Sequence, residues 1–88
     1  MSSITAPAPP VSEYAIIVSP EDNLAVVKRE TSPGLAVALP TGRVVEIKDS
    51  VPPGHRFATR DIPAGEFVLQ YGHPICTSLG IREGDYIS

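Results

Sequence analysis

The strongest constraint on this chain is a short phrase built around glycine that recurs three times. An aliphatic residue is followed three positions on by glycine, and that glycine three positions on by a large apolar residue. The copies are Val51-Pro-Pro-Gly54-His-Arg-Phe57, Ile62-Pro-Ala-Gly65-Glu-Phe-Val68 and Ile81-Arg-Glu-Gly84-Asp-Tyr-Ile87. Glycine reaches positive φ angles without steric cost, so Pro63-Ala64-Gly65 fits a tight turn whose apolar flanks end one strand and start the next. Ten prolines and seven glycines in 88 residues interrupt helix too often for a helical domain. No apolar pattern of helical period runs for a helix's length. The expectation is one small, mainly β domain of short strands with at most one or two short helices.

Along the chain, residues 1–12, "MSSITAPAPPVS", are small residues and prolines that bury little area, which predicts a flexible or loosely packed tail before a domain at 13–88. "YAIIV", residues 14–18, is β-branched and apolar and predicts a strand covered on both faces. "SPEDN" follows as a turn or short helical start, with Ser19 able to cap it. "LAVVKRE", "LAVALP" and "TGRVVEIKD" read as further strands. In the last of these, Val44 and Glu46 share one face and Val45 and Ile47 the other.

Several function classes fall away on composition. A net charge of −3 and a scatter of only seven Lys and Arg give no basic surface for nucleic acid. A single cysteine, Cys76, provides neither a disulfide framework nor a cysteine zinc site and suits a reducing compartment; a buried small apolar role fits it better than a nucleophile. No Lys or Arg precedes Lys28, and "YAIIV" is far too short to cross a bilayer. The expectation is a soluble cytoplasmic protein with no membrane contact. A chain this short buries only about 60–65% of its open surface, leaving little room for an enclosed active site. The glycines lack the spacing of a phosphate-binding loop.

Three stretches carry a family resemblance: "SPEDNLAVV", "PPGHRFATRDIPAGEFVLQYGHPI" and "LGIREGDYIS". They resemble, in order, a His-Pro-x-Asp-Asn-Val-Ala-Val segment, a Pro-x-Gly-His-Lys-x-Ala-x-x-Asp-Ile-x-x-Gly-x-x-Val-x-x-Tyr-Gly-x-x-Ile core and a closing Ile-x-x-Gly-x-x-Val strand. The chain is thereby similar to the SAF domain, a β-clip module found at the N-terminus of altronate and galactarate dehydratases and as the small subunit of related sugar-acid and sulfolactate lyases. Departures are local. Ser19 stands where the family usually has His, the Tyr-Gly-Gln segment appears as Tyr71-Gly72-His73, and the family's closing His-x-His-Asn is not reached by Ser88. These differences imply either a continuation of the chain or a ligand other than the usual hexarate or aldonate.

The resemblance nominates His55, Asp22, Asn23 and Arg60 as substrate-binding residues, each with a structural alternative. His55 can hydrogen-bond a carboxylate, hold a metal or move a proton, or make a structural hydrogen bond. Asp22 and Asn23 can face a polyhydroxy acid or cap a local turn. Arg60 can meet a carboxylate bidentately or pair with Asp61. His73 reads as a surface loop residue. Two histidines without a cysteine or carboxylate cluster are too few for a metal site with its own acid and base. The chain is therefore expected to be a substrate-binding or accessory module, not catalytic alone, beside a large catalytic domain or subunit of a sugar-acid hydro-lyase. That partner would carry the divalent metal, iron or manganese, that the resemblance implies. The alternative is a non-catalytic carbohydrate-binding or assembly module, like the SAF domains of sialic-acid synthases or of pilus and flagellar proteins. Self-association into a homo-oligomer is compatible with either reading.

Overall fold

A computed structural model describes residues 8–87. Strands make up 39% of the structure, and helix is confined to one 3-10 turn, Val11–Glu13, among the described residues, so the mainly β expectation holds. The strands are β1 (Ala15–Ile16), β2 (Leu24–Val27), β3 (Leu35–Ala38), β4 (Val44–Ile47), β5 (Arg56–Ala58), β6 (Phe67–Gln70), β7 (His73–Thr77) and β8 (Tyr86–Ile87). A central antiparallel sheet runs in the order β1-β2-β5-β8, and β3–β4 and β6–β7 form separate hairpins. No described helix is long and apolar enough to cross a membrane.

The central sheet has apolar partners on both faces, which explains the unbroken apolar run of β2. Successive strand residues point to opposite faces. Ala25, Val27 and Phe57 pack in one cluster with Val37, Val45 and Ile47 of the β3–β4 hairpin, joined by Val11 and Val51. Leu24, Ala58 and Ile87 pack in a second cluster with Ile62 and Val68, the latter from β6. In β4, Val45 and Ile47 are buried while Val44 and Glu46 are exposed, as the alternation predicts.

The glycine phrase is one turn used four times. Residue i+3 donates its N–H to the carbonyl of residue i in Pro52-Pro53-Gly54-His55, Pro63-Ala64-Gly65-Glu66 and Arg82-Glu83-Gly84-Asp85. Ser32-Pro33-Gly34-Leu35 closes in the same way and is a fourth copy. Glycine is third in each turn, with φ between +86° and +92°, the type II pattern. Each glycine then donates to a neighbouring segment: Gly54 to Val27, Gly65 to Ser78, Gly84 to Ala58 and Gly34 to Ile47. In the first three, Val27, Ser78 and Ala58 return their own N–H to the carbonyl of the residue after glycine. Two residues thus oppose one, a glycine-headed bulge that sharpens the bend. Phe57, Val68, Ile87 and Val37, each three residues past its glycine, are all buried. The bend delivers them to the core.

Three local expectations need correction. β1 covers only Ala15–Ile16, and Ile16 and Val18 are exposed, because β1 lies at the sheet edge and only Ala15 faces a core cluster. The loosely packed tail does not extend to residue 12: Ala38 donates to the Pro9 carbonyl, Pro10 bridges Ala38 and Val11 is buried. Residues 1–7 of that tail lie outside the described residues. Cys76 is exposed, since it sits in β7, where all five residues face outward.

Candidate functional site

Asp22 and Asn23 close the "SPEDN" turn and open β2. The turn is held by Asp22 N–H donating to Ser19 O at 3.0 Å, with Ser19 N–H returning to Asp22 Oδ2 at 3.2 Å. Both side chains are engaged with the backbone of another element. Tyr71 donates its amide to Asp22 Oδ2 at 2.9 Å and Gly72 donates to Oδ1 at 2.7 Å. Asn23 Oδ1 accepts from Leu69 N–H at 2.8 Å, and its Nδ2 donates to Phe67 O at 2.9 Å. The amide of Asn23 thus stands in for a strand edge on both sides of Val68. Both residues are buried, Asp22 at 9% exposure, so these bonds form away from competing water.

What they hold is the β6–β7 hairpin. Its two-residue turn places Tyr71 at φ +57° and Gly72 at φ +76°, the type I′ pattern with positive φ at both positions. Tyrosine in that conformation is strained by its Cβ. The two adjacent amides form a concave donor pair suited to an anion, and the Asp22 carboxylate fills it. The Tyr71-Gly72 pair between "FVLQ" and "HPICT" is the sequence signal for this turn; nothing near residue 22 announces its partner some fifty positions away.

His55 and Arg60 lie at opposite ends of one ladder. β2 and β5 pair antiparallel with Leu24 opposite Ala58 and Val26 opposite Arg56. His55 accepts at its carbonyl from Val27, while Thr59 donates to Asn23 O. Four residue steps, from His55 to Thr59, separate those ends, or about 13 Å. Arg60 therefore joins Asp22 and Asn23 at one end and His55 stands apart at the other. The exposed His55 ring lies edge-on to Tyr86, with centroids 5.6 Å apart, and its Nδ1 is hydrogen-bonded to the Tyr86 hydroxyl. Tyr86, which the sequence reading did not single out, packs on the first core cluster. The exposed Arg60 guanidinium reaches Asp61 O at 3.4 Å and lies 4.0 Å from Glu66 Oε1. His73 is exposed at the start of β7.

A cleft of about 260 Å³ opens beside Asp22, with Thr41 and Thr59 as its other polar members and Ile17, Leu39 and Pro40 among its apolar ones. That is slightly smaller than a typical small-molecule site of about 300–1,000 Å³. Among the described residues no three His, Cys, Asp or Glu side chains converge as metal ligands. The Asp85 carboxyl is perturbed by its surroundings. Burial pushes its carboxyl up, but the Arg82 amide and the Lys48 ammonium outweigh that and hold it below the ordinary value of 3.8.

The family model of the altronate/galactarate dehydratase SAF domain matches residues 13–88. No curated protein matches the chain.

Proposed function

The chain belongs to the altronate/galactarate dehydratase SAF-domain family, and on that premise we propose that it is the accessory module of a sugar-acid hydro-lyase. In this reading it contributes contacts to a small sugar acid and to the assembled enzyme, while a larger catalytic polypeptide performs the dehydration in the cytoplasm. Dehydration removes a proton beside a carboxylate and expels hydroxide, commonly with a Lewis-acid metal holding the oxygens. The iron or manganese centre belongs to the catalytic polypeptide.

The observation that carries this reading is the separation of the free polar groups. Asp22 and Asn23 are committed to the β6–β7 backbone, and His55 and Arg60 flank opposite ends of β5. Each can offer one contact: His55 a ring hydrogen bond to a hydroxyl or carboxylate, Arg60 a bidentate grip on a carboxylate. Five residue steps, up to about 16 Å, part His55 from Arg60, so in this reading a second polypeptide surface completes the site for one small acid. An assembly role is the second reading, favoured by the exposed β6–β7 hairpin.

The test is reconstitution. The isolated domain, given altronate, galactarate or sulfolactate with iron or manganese, is expected to form no 2-keto acid or sulfite. Addition of the catalytic polypeptide should restore turnover, and His55→Ala should then lower kcat/KM while leaving the domain folded. Turnover by the highly purified domain alone would overturn the accessory reading.

A further inference from the structure

Phe67–Ile81 is a run of fifteen residues without Asp, Glu, Lys or Arg, in a chain whose other segments carry all seventeen charges. Val68 and Ser78 of this run are buried, but most of it is not core. All five residues of β7 are exposed, Phe67 is 59% and Leu79 95% exposed, and among the described residues β7 pairs only with β6, which leaves its outer edge open there. Exposed edge strands ordinarily carry charges that discourage pairing with another chain. Here Pro74 is the single guard on β7. Loss of charge with exposed aromatic and aliphatic side chains is the composition of the core of a protein interface.

The hairpin is also prepared for docking, because the Asp22 and Asn23 bonds fix it before any partner arrives and so reduce the ordering cost of binding. Its chemistry selects among occupants. A lipid surface calls for a rim of clustered cations, whereas the run is bounded by one charge of each sign, Glu66 and Arg82. A second copy paired through β7 alone is too small a contact. Five residues span about 17 Å and two strands about 10 Å, roughly 170 Å² per face against about 800 Å² per partner in a stable interface. A short arm without charge fits instead into an uncharged groove of a larger protein that is held by other surfaces as well.

We propose that the β6–β7 hairpin is the arm by which this domain docks into an uncharged, apolar groove on the catalytic polypeptide of the dehydratase. The inference rests on the accessory reading and adds the contact surface to it. Cys76, the sole cysteine, lies in β7 and reports on the arm directly. Its maleimide labelling rate is measured in the domain alone and with the catalytic polypeptide of an altronate or galactarate dehydratase, with binding followed in parallel by light scattering. Labelling is expected to slow at least tenfold in the complex, and Ile75→Glu or Phe67→Glu to weaken binding at least tenfold with an unchanged thermal melt. Binding with Cys76 still fully reactive would overturn the docking arm and leave the accessory reading standing. No binding by the wild-type domain would sink the accessory reading and the arm with it. Protection that grows with domain concentration alone would replace the catalytic partner with a second copy.

Discussion

Gly65 and Gly84 occupy the same turn position, yet their surroundings differ enough to separate two costs. A Cβ on Gly65 would meet nothing within 4 Å, whereas one on Gly84 would collide with the carbonyl oxygen of Glu46 in β4. Both have φ near +90°, a conformation that burdens any L side chain by about 1–3 kcal/mol. Gly65→Val is therefore expected to cost roughly 1–3 kcal/mol. Gly84→Ala, the smaller change, should cost about 4 kcal/mol or more, since the backbones of β4 and the last turn must also part. Urea midpoints of the two variants give the order; equal losses would mean that the Gly84–Glu46 approach relaxes freely. The sequence showed that glycine was needed at both positions. It held no sign that one of them touches another strand.

The hairpin β6–β7 depends on two side chains from outside it. Asp22→Ala would leave the amides of Tyr71, Gly72 and Ser19 without their acceptor, a loss of about 2 kcal/mol or more because the acceptor is charged. The expected outcome is local: amides across β6–β7 exchange with solvent about 30-fold faster, a factor equivalent to about 2 kcal/mol. Those of β2 and β5 should change less. Uniform acceleration over all strands would show that the hairpin opens only with the whole domain. This element also marks how far the sequence could be read. Turn positions and the strands "LAVV", "LAVA" and "VVEI" were legible because glycine, proline and alternation act locally. "TSPG" was legible as a turn, but not as a fourth copy of the phrase, because Thr31 stands where the others have an aliphatic residue. Its hydroxyl donates to Asp49 O at 3.0 Å and accepts from Val51 N–H at 2.9 Å, which lets a polar side chain occupy a buried site. Asp22 and Asn23 looked like local caps or ligand contacts, since no local pattern announces a bond to a hairpin over forty residues away.

At the scale of the whole molecule, the last turn fastens elements that are distant in sequence. Lys48 Nζ pairs with Asp85 Oδ1 at 3.0 Å and Lys48 N–H donates to Gly84 O at 3.1 Å, so β4 is fastened to the turn that leads into β8. The Asp85 carboxyl is held below its ordinary value of 3.8, so its contribution to stability is present above that value and is lost as pH falls through the lower folded-state value. Between pH 5 and pH 2 the wild-type urea midpoint is expected to fall more steeply than that of Asp85→Asn. The difference should be modest, because the pair is partly open to solvent. Parallel acid profiles would remove Asp85 from the account. The sheet order β1-β2-β5-β8 has a further consequence during synthesis. β5 is complete at Ala58, but its second neighbour arrives only with Tyr86–Ile87. At about 5–20 residues per second on the ribosome, the emerging chain waits some 1.5–6 s with that edge unpaired. Over that interval a chaperone, or another nascent chain, competes with β8 for the same row of backbone donors and acceptors.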